Sequence, residues 1–391
     1  MPSSSLLPTY ARSKLSFTHG KGSYLFDTQG EAYLDFAAGV AVNSLGHSHP
    51  ALVTALQQQA ARLWHTSNLY TSPEGEAYAS ALMEGTNFEQ CFFTNSGAEA
   101  LEGALKTARR YHYVKGNKER WRVITMTGAF HGRTFATIAA TGSAKVLEGF
   151  GPPVEGFDKV PFGNMNALRD AITGETAAIL VEPIQGEGGI IPAPEGYLQD
   201  LRRAADEYGL LLIFDEVQCG MGRTGKLFAH SWSHVAPDIM ALAKGIGGGF
   251  PLGAFVATGE AAQGMSAGAH GSTYGGNPLA VAVGQTVLKI LNSDGFMDTV
   301  ITRAAQLRDG LTTLAKKYPE CIEQIRGIGL MQGIKLHNTL AASSFTETLR
   351  SRRLLSVPAG ENTVRLLPPL NVNEREVQEA LSILDKTFGV I

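Results

Sequence analysis

Cysteine is scarce in this chain: Cys91, Cys219 and Cys321 are the three among 391 residues. They lie far apart with no C-x-x-C pair, which argues against a disulfide framework and against a structural zinc site. Neither sign of charge dominates, since Lys and Arg total 33 against 36 for Asp and Glu, and charged residues make up 18% of the chain. No long-range field follows from that balance, so nucleic acid is not expected as a partner. Long apolar runs are missing too. Stretches such as 210–214 are far too short to span a bilayer, and residues 1–10 have no apolar core behind a basic start. A soluble protein of the reducing cytoplasm is the expectation, with no membrane partner. Internal repeats, low-complexity tracts and long linkers are also lacking.

What is present begins with length, enough for one large core and a smaller companion. Short runs rich in β-branched residues, Leu and Phe recur at 91–94, 122–126, 178–182, 210–215, 239–243 and 254–258. Continuous apolar runs of this kind suit strands buried on both faces. Helical patterns separate several of them: Leu198, Leu201, Ala205 and Tyr208 share one face, and Gly209 supplies a stop. The alternation predicts an α/β fold, a mainly parallel sheet flanked by helices. After Pro278 the texture changes to longer amphipathic stretches, ending with Val377, Ala380, Leu381 and Leu384 behind the capping pair Asn373 and Glu376. Residues 51–279 are therefore read as the large domain, and residues 1–50 with 280–391 as a second, α+β domain.

Three segments carry chemistry. Thr94-Asn95-Ser96-Gly97-Ala98-Glu99 follows a strand and opens a helix whose apolar side bears Leu101, Leu105 and Ala108. Ser96 and Glu99 form a capping-box pair, and Gly97 lets a ligand approach free backbone N–H groups, so a phosphate suits this helix start as well as an ordinary cap does. The run 211–215 ends abruptly in Asp215 and Glu216, at the strand end where ligands sit in open α/β sheets. A solvated acidic turn is the alternative. Lys244 ends the run 239–243 ahead of Gly245, Gly247, Gly248 and Gly249. Desolvation there lowers an amine's pKa and makes it a competent Schiff-base nucleophile, whereas a flexible surface lysine would do nothing. Gly220-Met221-Gly222-Arg223-Thr224-Gly225-Lys226 imitates a nucleotide-binding P-loop, but Leu227 stands where a Ser or Thr must reach magnesium, and no helix start follows.

Together the segments resemble the class III aminotransferases of the fold-type-I pyridoxal-phosphate family, over nearly the whole chain. The likeness rests on Gly46-His47-Ser48-His49-Pro50, Phe130-His131-Gly132-Arg133-Thr134, Glu182-Pro183-Ile184-Gln185-Gly186-Glu187-Gly188-Gly189, the 215–218 and 222–225 segments, Lys244, and His270-Gly271-Ser272-Thr273-Tyr274-Gly275-Gly276-Asn277-Pro278. The resemblance implies a seven-stranded large domain. It also implies pyridoxal 5'-phosphate held by Lys244 as a Schiff base, with Lys244 as nucleophile and general base, Asp215 on the pyridine nitrogen, and Gly97 and Ala98 N–H groups on the phosphate. Phe130 and Val217 would contact the two ring faces, and Gln218 the phenolic oxygen. Thr273 would reach the phosphate of a partner subunit, making the molecule a homodimer with shared sites. Arg133, with Ser272 nearby, would bind the α-carboxylate of an acylated diamino acid. Arg365 would bind that of glutamate or 2-oxoglutarate, masked until then by Glu187. His47, His49 and His131 are expected to make structural hydrogen bonds, and no metal is expected. Family members acting on free ornithine, succinylated diamino acids or 4-aminobutyrate, a mutase moving an amine within one molecule, and a non-catalytic scaffold on this fold remain alternatives.

Overall fold

Seven short strands build the central sheet: β1 (Gln90–Thr94), β2 (Arg122–Met126), β3 (Phe157–Val160), β4 (Thr176–Val181), β5 (Leu211–Asp215), β6 (Ile239–Leu242) and β7 (Gly253–Ala257). Their order across the sheet is β1-β7-β6-β5-β4-β2-β3. Every residue of β4, β5, β6 and β7 is buried, so the continuous runs reflect cover on both faces rather than a wet side. The sheet is mainly parallel, as expected, with β7 running antiparallel to both of its neighbours. The computed structural model describes residues 5–391. Residues 1–4, part of the N-terminal stretch expected to carry no leader, lie outside the described residues.

The helix α1 (Gly97–Val114) follows β1 directly and buries Leu101, Leu105 and Ala108. The helix α2 (Tyr197–Tyr208) ends at Gly209, whose φ of 64° is the left-handed conformation a helix stop requires. Leu198, Leu201 and Ala205 of α2 are buried, but Tyr208 is exposed. Its position in the last turn leaves it at the rim, where the Arg169 guanidinium lies over its ring. The shared apolar face is thus one residue shorter than periodicity alone implies.

Strands Phe17–Lys21, Tyr24–Asp27 and Ala32–Asp35 form a small sheet that Leu354–Leu355 joins in parallel, so the N-terminal segment and the segment after residue 280 share hydrogen bonds. A second small sheet joins Ile322–Ile328, Met331–Leu336, Thr363–Leu366 and Val357–Ala359 in that order, all antiparallel. The helix α3 (Pro278–Leu291) packs on Pro50–Ala60 and Pro73–Met83. The last helix, α4 (Glu374–Phe388), has the anticipated reciprocal cap between Asn373 and Glu376, and buries Val377, Ala380, Leu381 and Leu384. Among the described residues no helix is long and apolar enough to cross a membrane.

Candidate active site

The carboxyl ends of β4, β5 and β6 and the start of α1 surround a cavity of about 360 Å³ lined by Gly97, Ala98, Phe130, Asp215, Val217, Gln218 and Lys244, among others. Parallel strands place their successive side chains in step, and β4 pairs with β5 so that Val181 lies beside Phe214. The next residues, Glu182 and Asp215, therefore emerge together. Asp215 is no solvated turn residue: it is 3% exposed, its Oδ2 is 2.7 Å from His131 Nδ1, and its Oδ1 accepts the Val217 N–H at 3.0 Å. The neighbouring Glu216 is buried with its carboxylate turned elsewhere, accepting the Ala229 and His230 N–H groups at 2.6 and 2.8 Å. Burying both carboxylates with partners sorts them into two roles.

Lys244 opens the loop after β6 with a left-handed φ of 50°, a conformation costly for a side chain with Cβ and tolerated where the surroundings over-determine it. Ser44 Oγ helps, donating to Gly245 O at 3.0 Å. Burial lowers the Lys244 amine pKa; Glu187, Asp215 and Glu182 oppose that effect and Arg365 adds to it. A depressed amine pKa raises the neutral, nucleophilic fraction at neutral pH.

Ser96 Oγ caps α1 by accepting the Glu99 N–H at 3.2 Å. The return bond differs from the expected box: Glu99 Oε2 accepts from Asn95 N and Nδ2, both at 2.8 Å. Glu99 thereby pins the residue ahead of the cap, while the Gly97 and Ala98 N–H groups begin a helix and have no intrahelical acceptor. A Cβ on Gly97 would come within 2.9 Å of Val217, so only glycine lets these two walls approach.

Glu187 and Arg365, far apart in sequence, form a bidentate ion pair: Nη1 bonds Oε1, and Nη2 bonds Oε2 at 3.0 Å. Arg365 is 2% exposed and also donates to Pro358 O at 3.2 Å. Burial alone raises the Glu187 pKa, but Arg365, Lys244 and Gln218 outweigh it and leave it below the ordinary carboxylate value. Gln218 connects this pair to the cavity, contacting Glu187 Oε1 and Arg365 Nη1 at 3.3 Å each. A Cβ on Gly186 would strike the Gln218 amide.

Other expected residues sit at the margin. Arg133 is exposed, its guanidinium 5.3 Å from the Phe130 ring centroid. Ser272 accepts from Asn95 Nδ2 at 3.3 Å and from Gly275 N at 2.9 Å. Thr273 is exposed and does not line the cavity of its own chain. In the P-loop look-alike, Arg223 turns inward to Leu330 O and Pro368 O, and Lys226 lies over Trp232.

Sequence reading gave no role to Glu182, which is 6% exposed and lines the cavity. Its signal was available: a carboxylate at the end of an apolar strand, the rule that found Asp215. Ligand atoms of His131, Glu182 and Asp215 lie within 4.8 Å of one another. The trio has the composition of a metal site, with one His131 nitrogen already committed to Asp215 and the other, Nε2, buried without a partner. Also unforeseen is the turn 38–41, where Ala38, Gly39, Val40 and Ala41 all have φ between 45° and 64°. Asp35 holds it by accepting from Ala37 and Ala38 N–H groups at 3.0 and 2.9 Å, and His47 Nε2 lies 2.7 Å from Asp35. The turn delivers Val42 to the cavity wall.

A family model described as aminotransferase class-III matches residues 8–388. The chain belongs to the class-III aminotransferases. The acetylornithine aminotransferase of Mesorhizobium japonicum is 59% identical over 382 residues, 98% of this chain and 95% of the relative. That of Agrobacterium fabrum is 59% identical over 377 residues, 96% of this chain and 94% of the relative. Among solved structures, the ornithine aminotransferase of Toxoplasma gondii aligns with a TM-score of 0.94 at 33% identity, covering 99% of this chain and 93% of that one. The N-acetylornithine aminotransferase of Stenotrophomonas maltophilia aligns with a TM-score of 0.85 at 37% identity, covering 97% of each chain. As a class-III aminotransferase the chain is a pyridoxal-phosphate-dependent enzyme. Its residues fit that cofactor: an amine of depressed pKa in the cavity, a buried carboxylate opposite, a ring and an isopropyl group on the walls, and a helix start lacking acceptors for its first N–H groups.

Proposed function

We propose that this enzyme transfers the terminal amino group of N2-acetylornithine to 2-oxoglutarate, giving the acetylated semialdehyde and glutamate, as in arginine biosynthesis. Pyridoxal phosphate, when bound, supplies an aldehyde for the amine and a ring that takes up the electron pair released at the substrate carbon. Lys244 Nζ would hold the cofactor and carry the proton from the substrate carbon, as nucleophile and base in turn. Asp215, oriented by His131, would keep the pyridine nitrogen protonated, and Gly97 and Ala98 N–H groups would bind the phosphate. Phe130 and Val217 would bracket the ring, and Gln218 would meet its phenolic oxygen.

The observation that carries the substrate reading is the bidentate pairing of Glu187 with Arg365. One site must admit a terminal amine first and an α-amino acid second. With its guanidinium engaged, Arg365 would not seize the donor's carboxylate, which Arg133 would take instead. When the 2-oxo acid arrives, Glu187 would swing away and Arg365 would clamp the acid bidentately. The names of the relatives support the acetylated donor.

The second subunit belongs to the same proposal. Trp64, Leu69, Tyr70 and Tyr274 are 64%, 85%, 72% and 62% exposed, and the His65 and Tyr274 rings lie 5.4 Å apart. Such apolar exposure beside Thr273 suits cover by a second copy, whose phosphate site Thr273 would complete in a cytoplasmic homodimer. The division into residues 51–279 and the two terminal segments remains our reading of the domains.

A panel of acylated and free diamino acids assayed with 2-oxoglutarate tests the substrate. Acetylornithine should give the highest kcat/KM, and a preference for free ornithine or turnover without a 2-oxo acid would replace the proposal. Glu187→Ala should lower the preference for the terminal-amine donor over glutamate about tenfold, one charge-assisted contact's worth; unchanged preference removes the masking role.

A further inference from the structure

We propose that Glu182 is a positioning residue that ties the Phe130 ring and the Glu187 loop to the tip of β4, beside the β5 tip that bears Asp215. The inference rests on the site assignment above and extends it to a residue with no role so far. Glu182 Oε1 accepts the Phe130 N–H at 2.9 Å, and Oε2 accepts the Gly186 N–H at 3.0 Å. Each oxygen therefore anchors a different wall. Phe130 carries the ring that lines the cavity and sits under Arg133, while Gly186 immediately precedes the carboxylate that pairs with Arg365. The Phe130 segment lies outside any strand or helix, and the Glu187 loop is flanked only by the two-residue ladder of Ile184–Gln185 with Ile191–Pro192. A buried carboxyl with two backbone donors thus adds the hold that longer pairing would give.

The position beside Asp215 fixes the charge. Burial and the Asp215 carboxylate push the Glu182 pKa well above the usual carboxylate range, against the two N–H groups and Lys244. A neutral acid still accepts both bonds, through its carbonyl and hydroxyl oxygens. The work of Glu182 is then done by its acceptors rather than by its charge. A glutamine keeps one acceptor and presents an N–H₂ to the other donor; an alanine keeps none.

The experiment compares holoenzyme of wild type, Glu182→Gln and Glu182→Ala by visible circular dichroism of the bound cofactor and by the ratio of kcat/KM for acetylornithine to that for glutamate. Loss of one anchor should lower that ratio about fivefold in the Gln variant, and loss of both about twenty-five-fold in the Ala variant, with the dichroic band falling in the same order. Thermal unfolding run alongside separates this from general loosening, which would scale both kcat/KM values together and leave the ratio alone. Equal damage in both variants would overturn the proposal in favour of a charge effect, and an unchanged ratio and band in Gln would overturn it outright, even if Ala fails to fold. A wild-type protein without any cofactor band would instead sink the site assignment itself.

Discussion

The floor of the cavity and the rim at 266–277 solve opposite problems. On the floor, Asp215, Glu182 and Glu216 are buried on neighbouring strand ends and engaged by partners from their own chain. At the rim, Thr273 and Tyr274 stand exposed while Ser272 is used locally to hold Asn95 and Gly275. On the proposed reading, one chain supplies the groups at the reacting end of the cofactor, and a second copy adds Thr273 to the grip on its phosphate. The floor should therefore answer to single substitutions regardless of protein concentration, whereas the rim should answer to assembly.

The sharpest break of that comparison is on the floor. Lys244→Ala should remove covalent cofactor attachment and lower turnover about 10³- to 10⁴-fold at every protein concentration. Borohydride reduction of the wild type followed by peptide mass analysis should put the label on Lys244; a label on another lysine ends the assignment. The same residue predicts a pH effect in the cofactor-free protein. Its folded pKa is depressed below 10.5, so between the lowered value and 10.5 the unfolded chain binds more protons than the folded one. Stability should rise with pH through that window and be lost as pH falls through the folded value. Lys244→Met should flatten that slope, with Glu187, Arg365, Asp215 and Glu182 as the titratable or charged groups facing the amine. Urea titrations at stepped pH read it directly.

A smaller effect belongs to the rim. Thr273→Ala should weaken cofactor binding about tenfold, as expected for one hydrogen bond to a charged phosphate, with the Lys244 linkage still able to form. Placing lysines at Trp64 and Leu69, which are exposed in the single chain, should disrupt the proposed dimer and weaken cofactor binding by a similar factor with Thr273 intact. Sedimentation and cofactor titration check both halves. A monomer that binds as tightly as wild type would show that the rim of one chain serves no other.

The same contrast explains what could be read from the residues in advance. Strands buried on both faces leave an uninterrupted apolar signature, so β2, β4, β5, β6 and β7 stood out, and the ends of β5 and β6 pointed to Asp215 and Lys244. The half-buried edge strand β1 stood out because Cys91, Phe92 and Phe93 are apolar all the same. The run at β3 did not, because Asp158 and Lys159 interrupt it at the sheet edge, where Arg122 pairs with Asp158. Glu187 and Arg365 were found through family likeness; nothing in the local pattern of either announces a partner far along the chain. The turn at 38–41 was invisible for a different reason. Ala38, Val40 and Ala41 resist positive φ by about 1–2 kcal/mol each, so sequence preference points away from the conformation that Asp35 and tertiary packing impose.

The smallest expected effect tests whether the phosphate end of the floor is autonomous. Ser96 Oγ satisfies the Glu99 N–H, and an N-cap serine replaced by alanine costs about 1 kcal/mol. Glu99 keeps its separate hold on Asn95 N and Nδ2, so the start of α1 should loosen rather than unravel. Ser96→Ala should thus lower the stability of the cofactor-free protein by about that amount, measured by urea unfolding. The loss should be the same in dilute and concentrated samples, because the cap and the N–H that donates to it belong to one chain. A loss that grows on dilution would mean that the partner, and not the cap, holds the helix start in place, and the contrast between floor and rim would have to be redrawn at Ser96.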